Sequence, residues 1–201
     1  MSDLTALVGS RICHDLISPL GAIGNGMELL AMAAAETPGG VPTEELALIA
    51  DSVARANGRI RMFRIAFGAA GNGVDVAGRE LCEILAEYYG GGRLSVTAEP
   101  PVSMSRALAK AALLSILCAE TALPRGGRIA LQGTGARLEL AAEGPRLDLD
   151  PALWGPVAEG RSPDGELSAA QVQFALVPSA LREAGRRLSL RHGETRLDLA
   201  L

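Results

Sequence analysis

Ser10-Arg11-Ile12-Cys13-His14-Asp15-Leu16-Ile17-Ser18-Pro19-Leu20 is the stretch from which the rest of the chain is best read. It lies within a run from Leu4 to about Ala35 in which Ile12, Leu16, Leu20, Ile23, Met27 and Leu30 recur on one side at helical spacing, which predicts a long amphipathic helix. His14, one of two histidines in 201 residues, falls away from that stripe. On the helical wheel it is flanked by Leu7, Ser10, Arg11, Ser18, Gly21 and Asn25, mostly small or polar, so the imidazole is expected to point outward with room for a docking partner. Pro19 costs about 3 kcal/mol inside a helix, because its ring clashes with the Asp15 carbonyl and it has no N–H, and a kink is expected just after the histidine.

Downstream, Thr37-Pro38-Gly39-Gly40 breaks the helix, and Thr43 ahead of Glu44 and Glu45 reads as the cap of a second one. There Leu46, Ile49, Val53, Ala56, Ile60, Phe63 and Phe67 alternate spacings of three and four, the seam of a left-handed bundle. Two helices alone cannot cover both apolar faces, so the hairpin is expected to pair with a second copy as a homodimeric four-helix bundle. Gly68 to Gly78 reads as a Gly- and Ala-rich linker. The expected division is therefore a helical hairpin over residues 1–70 and a second domain over 78–201. The second domain reads as a helix (Arg79 to Tyr89), a strand (Arg93 to Ala98), a helix (Ser103 to Leu123), and two strands (Arg128 to Gln132, Arg137 to Ala141). An irregular stretch from Gly144 to Gly165 follows, then a helix (Ser168 to Ala184) and two strands around His192-Gly193-Glu194. The fold class is α+β, with helices expected over one face of a single sheet.

Hydrophobic residues at 48%, charged residues at 21% and a mean hydropathy of +0.22 imply a packed core rather than disorder. Aromatics at 3% leave little for base stacking, and a formal charge of −4 supplies no global field toward nucleic acid or an anionic membrane. Neither partner is expected. All basic residues but Lys110 are arginine, a side chain that suits carboxylate and phosphoryl groups but also follows from coding bias. Cys13, Cys82 and Cys118 have no paired spacing and read as reduced, buried residues of a cytoplasmic protein. The opening Met1-Ser2-Asp3-Leu4 has no leader pattern, and the most hydrophobic stretch is taken as Ala107 to Ala119, too short to span a membrane.

An exposed imidazole, with an ordinary pKa of about 6.5, is partly uncharged at neutral pH and is a competent nucleophile. Asp15 next to it can hold the proton on one ring nitrogen and free the other lone pair, which makes His14 and Asp15 a candidate phosphoacceptor pair. A solvated histidine beside a solvated acid fits the local chemistry equally well. No metal site is expected, because Cys13 and His14 diverge and no further ligand follows at helical spacing. His192, in an apparent turn, is given no role.

His14-Asp15-Leu16-Ile17-Ser18-Pro19-Leu20 resembles the H-box of bacterial histidine kinases, in which the phosphorylated histidine precedes an acid and Pro-Leu lies five residues on. Leu113 to Ile129, ending Pro124-Arg125-Gly126-Gly127-Arg128-Ile129, is similar to the kinase helix that carries two Mg/ATP asparagines, here replaced by Leu114 and Cys118. The adenine-reading Asp corresponds to Ala142, and Gln171 and Gln173 stand where glycines approach the triphosphate. Taken together, the chain resembles the ChpT-type histidine phosphotransferases of alphaproteobacteria. The resemblance implies a histidine-kinase-ATPase-like α/β sandwich domain without a nucleotide site behind a phosphotransfer hairpin.

What the resemblance further implies is a phosphorelay. The receiver aspartate of a hybrid histidine kinase passes its phosphoryl group to His14, and His14 passes it to response-regulator receivers. No cofactor is expected in this chain, with Mg²⁺ brought by the receiver. Arg11, Ser18, Asn25, Arg59 and Arg64 are candidate docking residues. Against that, Arg55, Arg59, Arg61 and Arg64 also read as a solvated face complementing a helix C-terminus, and Ser18 as a structural residue. Two other classes stay open: a fragment of an ATP-dependent histidine kinase, and a non-catalytic adaptor that binds receivers.

Overall fold

The computed structural model describes residues 3–36, 43–69, 75–134 and 137–201. Helix α1 (Leu4–Glu36) and helix α2 (Thr43–Ala66) form the hairpin. Asp3 starts α1, its Oδ1 accepting from the N–H groups of Thr5 at 2.9 Å and Ala6 at 3.3 Å. The helix continues through Pro19, whose ring is buried. The break expected over residues 37–42 and the capping role expected of the Thr43 side chain lie outside the described residues.

Beyond the hairpin, β1 (Asp75–Ala77) leads into α3 (Gly78–Tyr89), β2 (Leu94–Glu99), β3 (Ser103–Ser105) and α4 (Arg106–Thr121). Next come β4 (Gly127–Thr134), β5 (Arg137–Glu143), α5 (Pro151–Ala158), a 3-10 turn (Ala169–Gln171), α6 (Val172–Glu183), β6 (Ser189–His192) and β7 (Arg196–Ala200). Five strands make one sheet in the order β2-β4-β5-β7-β6, parallel between β2 and β4 and antiparallel elsewhere. Its inner face carries Ile129, Leu131, Leu138, Leu140, Leu197 and Leu199, all buried, and the alternating positions carry charge outward, where Arg128 and Arg196 pair with Glu143. Among the described residues the helices lie over this inner face, as the α+β reading expects.

Four local expectations are corrected. The stretch read as a linker ends in β1, which pairs with β3, so the helix expected from Ser103 starts three residues later, with the Ser105 hydroxyl accepting from Leu108 N–H at 3.2 Å. The stretch read as irregular contains α5. Asp150 caps it at Ala152 N–H (2.9 Å) and Pro151 opens it, start signals obscured by Gly155 and Pro156 inside the helix. His192 ends β6 rather than sitting in the turn. Finally, no membrane-spanning stretch is expected, yet Leu4–Ala33 of α1 is long and apolar enough by length and composition to cross a membrane, and little of it is buried within this chain. Composition alone does not separate a spanning helix from one whose apolar face awaits another helix.

The hairpin packs onto the sheet-bearing part through the second half of α2. Met62, Phe63, Ile65 and Ala66 enter the common core beside Leu81, Ile84 and Leu85 of α3. Gly58 permits the approach of α2 to α3, since a Cβ there would lie 2.8 Å from that of Glu87. Across the same contact Arg61 pairs with Glu87 at 2.8 Å and Glu83 at 3.4 Å, and Arg64 with Glu80 at 3.6 Å.

Candidate functional site

His14 stands on the solvent side of α1 with 85% of its side-chain surface exposed. Ser18, Gly21 and Asn25, at four, seven and eleven residues further on, continue the same exposed strip. Ile17, Leu20 and Met27 form an exposed apolar strip beside it.

The neighbour of His14 turns the other way. Asp15 retains 15% of its side-chain surface, with Oδ1 lying 3.2 Å from His14 Nδ1 and Oδ2 accepting from Arg11 Nε at 2.7 Å. A carboxylate only accepts, so this contact calls for the proton on Nδ1 and leaves the lone pair on Nε2, the nitrogen a partner would meet. Arg11, itself 14% exposed, also donates from Nη1 to the carbonyl of Ala170 at 3.2 Å, fastening α1 to the turn before α6.

Four helices meet behind this pair. The Tyr88 phenol of α3 is near enough to act on the Arg11 charge, and the Arg59 guanidinium of α2 sits over the Tyr88 ring at 5.7 Å. The adjacent Tyr89 donates its hydroxyl to Glu120 of α4 at 3.0 Å. Burial opposes the Arg11 charge, but Asp15 and Tyr88 more than offset it and hold the guanidinium above its ordinary pKa. Burial, reinforced by Glu120 and Asp15, pushes the Tyr88 phenol up, and burial raises Glu120 against the pull of Tyr89, Arg11 and Arg93.

Of the expected docking residues, Ser18 and Asn25 share the exposed strip of His14. Arg11 is corrected: its fork is spent on Asp15 and Ala170 because α1 lies against the turn preceding α6. Arg59 is stacked on Tyr88, and Arg64, although exposed, faces Glu80 of α3. The solvated-face reading of α2 is corrected likewise, since Arg61 and Arg64 span the contact with α3. Cys13 is exposed, not buried, because it precedes His14 on the outer half of the helix.

Leu114, Cys118 and Ala142, which the resemblance sets against a kinase's nucleotide ligands, are inside the core. Gln173 is buried too, its Nε2 donating to the Ala170 carbonyl at 2.8 Å, and Trp154 meets Phe174 edge-on with centroids 5.2 Å apart. Gly126 keeps the turn before β4 at φ +80°, a conformation that favours glycine. Among the described residues no group of three or more His, Cys, Asp or Glu is placed to hold a metal ion.

The histidine phosphotransferase C-terminal domain family matches residues 78–196. The chain belongs to that family. It is 34% identical over 194 residues to the protein phosphotransferase ChpT of Brucella abortus (strain 2308), covering 94% of this chain and 90% of that one. A solved bacterial phosphotransferase superposes with a TM-score of 0.77 at 32% identity, covering all of this chain and 97% of the other. The family match falls on the sheet-bearing part of this phosphotransferase, whereas the whole-length likenesses take in the hairpin that carries His14.

Sequence reading missed Tyr88, Tyr89 and Glu120 of this phosphotransferase. The available signal was compositional: two of its six aromatic residues are adjacent at the end of one helix, and the one acid of α4 stands near its end, after a largely apolar run.

Proposed function

We propose that this histidine phosphotransferase works as a phosphocarrier within a phosphorelay, with His14 as the residue that carries the phosphoryl group. The observation that supports this best is the exposed imidazole whose Nδ1 is held by an inward-turned Asp15. The Nε2 lone pair attacks the phosphorus of a receiver aspartyl phosphate. The bond between phosphorus and the aspartyl oxygen breaks, and the electron pair leaves with that carboxylate. The ring retains its Nδ1 proton throughout, and the charge it gains faces Asp15. The reverse sequence delivers the group to a second receiver, a response regulator. Receivers bring Mg²⁺ for the moving charge, so the hairpin has only to present the nucleophile rigidly beside a docking strip of Ser18 and Asn25.

Donation by a hybrid-kinase receiver rather than by ATP is supported by the apolar residues at the positions where a kinase binds nucleotide. A homodimer is supported by Ile17, Leu20 and Met27 on α1 and Leu46, Val53 and Ile60 on α2, large apolar side chains left exposed along the hairpin. The sheet-bearing part then serves as a further contact for receivers. An adaptor without chemistry would bind receivers equally well without an imidazole. Incubating a phosphorylated receiver with the wild type and with His14→Gln separates these readings. Acid-labile label on the wild type only is expected, with transfer lower by at least about a thousandfold in the variant. Equal label on both would remove His14 from the mechanism.

A further inference from the structure

Resting on His14 as the phosphoacceptor, we propose that Arg11 and Tyr88 are positioning residues that let the sheet-bearing part of the molecule set the reactivity of the histidine from behind.

Among the described residues Asp15 is the group in contact with Nδ1, and a carboxylate free to rotate would orient the ring only part of the time. Its second oxygen is fixed by Arg11 Nε at 2.7 Å, and Arg11 is fixed in turn by the Ala170 carbonyl at 3.2 Å, with the Tyr88 phenol near enough to act on the guanidinium charge. Neither Ala170 nor Tyr88 belongs to the hairpin. Tyr88 is also held from three sides, by the Arg59 guanidinium over its face, by Phe63 edge-on at 6.0 Å and by Tyr89 at 4.7 Å. The line Tyr88–Arg11–Asp15–His14 thus runs from a locked aromatic in α3 to an exposed imidazole in α1, through a guanidinium whose forked geometry a lysine cannot reproduce. The charged groups around it are Asp15 on α1, Arg59 on α2, and Glu120 on α4 with Arg93 beside it.

The arrangement acts on a proton without moving one. With Asp15 held, the Nδ1–H tautomer is favoured before the receiver arrives, and the imidazolium formed on phosphorylation meets an oriented carboxylate. Loss of Arg11 or of the Tyr88 hydroxyl releases Asp15, populates the Nε2–H tautomer and removes part of the reactive lone pair. Receiver docking, which uses the outward strip, is left unchanged.

The test uses full-length protein carrying Tyr88→Phe, Arg11→Lys and Arg11→Met, with ring ¹⁵N NMR of His14 and the rate of transfer from a phosphorylated receiver as readouts. Tyr88→Phe keeps the ring and so the packing against Arg59 and Phe63. It is expected to shift the His14 tautomer signature toward Nε2–H and to slow kcat several-fold with KM for the receiver unchanged. Arg11→Met is expected to slow kcat about ten- to a hundredfold, with Arg11→Lys in between. If a folded Tyr88→Phe keeps the wild-type tautomer and kcat, the proposal is overturned, whatever Arg11→Met does. Label on wild-type His14 together with that result would leave the phosphocarrier reading intact, whereas absence of label on wild-type His14 would overturn that reading itself.

Discussion

The hairpin and the sheet-bearing part bury their apolar residues in opposite ways. In α4, eleven of sixteen residues are buried, and the side chains of Leu113, Leu114 and Ile116 have no exposed surface. In α1, among the described residues, only Pro19 and Gly26 are buried, while Ile17, Leu20, Met27, Leu29 and Met32 are each about half exposed or more. One region satisfies its hydrophobic surface within a single chain, and the other leaves it exposed. The proposed phosphoacceptor His14 lies on the second kind of surface, where a partner has access. The first kind supplies the fixed ground against which Arg11 and Asp15 are held.

Cutting into the self-sufficient region should have the largest effect. Phe174→Ala removes a fully buried ring packed edge-on against Trp154, and a loss of about 3–5 kcal/mol is expected in chemical denaturation. A loss below about 1 kcal/mol would mean that the region is not tightly packed. Next comes the hairpin surface. Leu20→Asp places a charge in the apolar strip and should weaken self-association by about 2–3 kcal/mol, read as a shift to monomer in sedimentation, with little change in unfolding of the sheet-bearing part. An unchanged mass would break the contrast between the two regions.

Electrostatics at the junction should give a smaller effect of defined sign. Burial raises the Glu120 carboxyl above its ordinary value of 4.5, so the folded state holds this proton more tightly than the unfolded chain. The contribution is fully present below pH 4.5 and is lost as pH climbs through the raised value, and Glu120→Gln should flatten that fall in a pH series of denaturation midpoints. A variant profile parallel to the wild type would contradict it. The smallest effect is expected at Met32, exposed and off the apolar strip, where truncation to Ala should stay within about 0.5 kcal/mol of the wild type.

Periodicity made the two hairpin helices, α3, α6 and the strands legible, because each buries one face and the sequence repeats accordingly. It was silent where a signal was weak or contradicted. β1 and β3 are three residues each and exist only by pairing with one another, and Gly155 and Pro156 disguised α5 despite its Asp150-Pro151 start. The exposed histidine and its acidic neighbour were legible as a local pattern. What holds them was not, since Tyr88 and Ala170 reach Arg11 from segments separated by more than seventy and 150 residues. The same long-range contacts turned Arg11 inward, away from the docking surface that the helical wheel assigns it.

A phosphocarrier and a kinase differ in where a phosphoryl group on His14 would come from. Wild-type protein is incubated with γ-labelled ATP alone and, separately, with a phosphorylated receiver domain and Mg²⁺, and the labelled residue is mapped. The expected result is no label from ATP and acid-labile label on His14 from the receiver. Label arriving from ATP without another kinase, or label from the receiver mapping to a different residue, would contradict it.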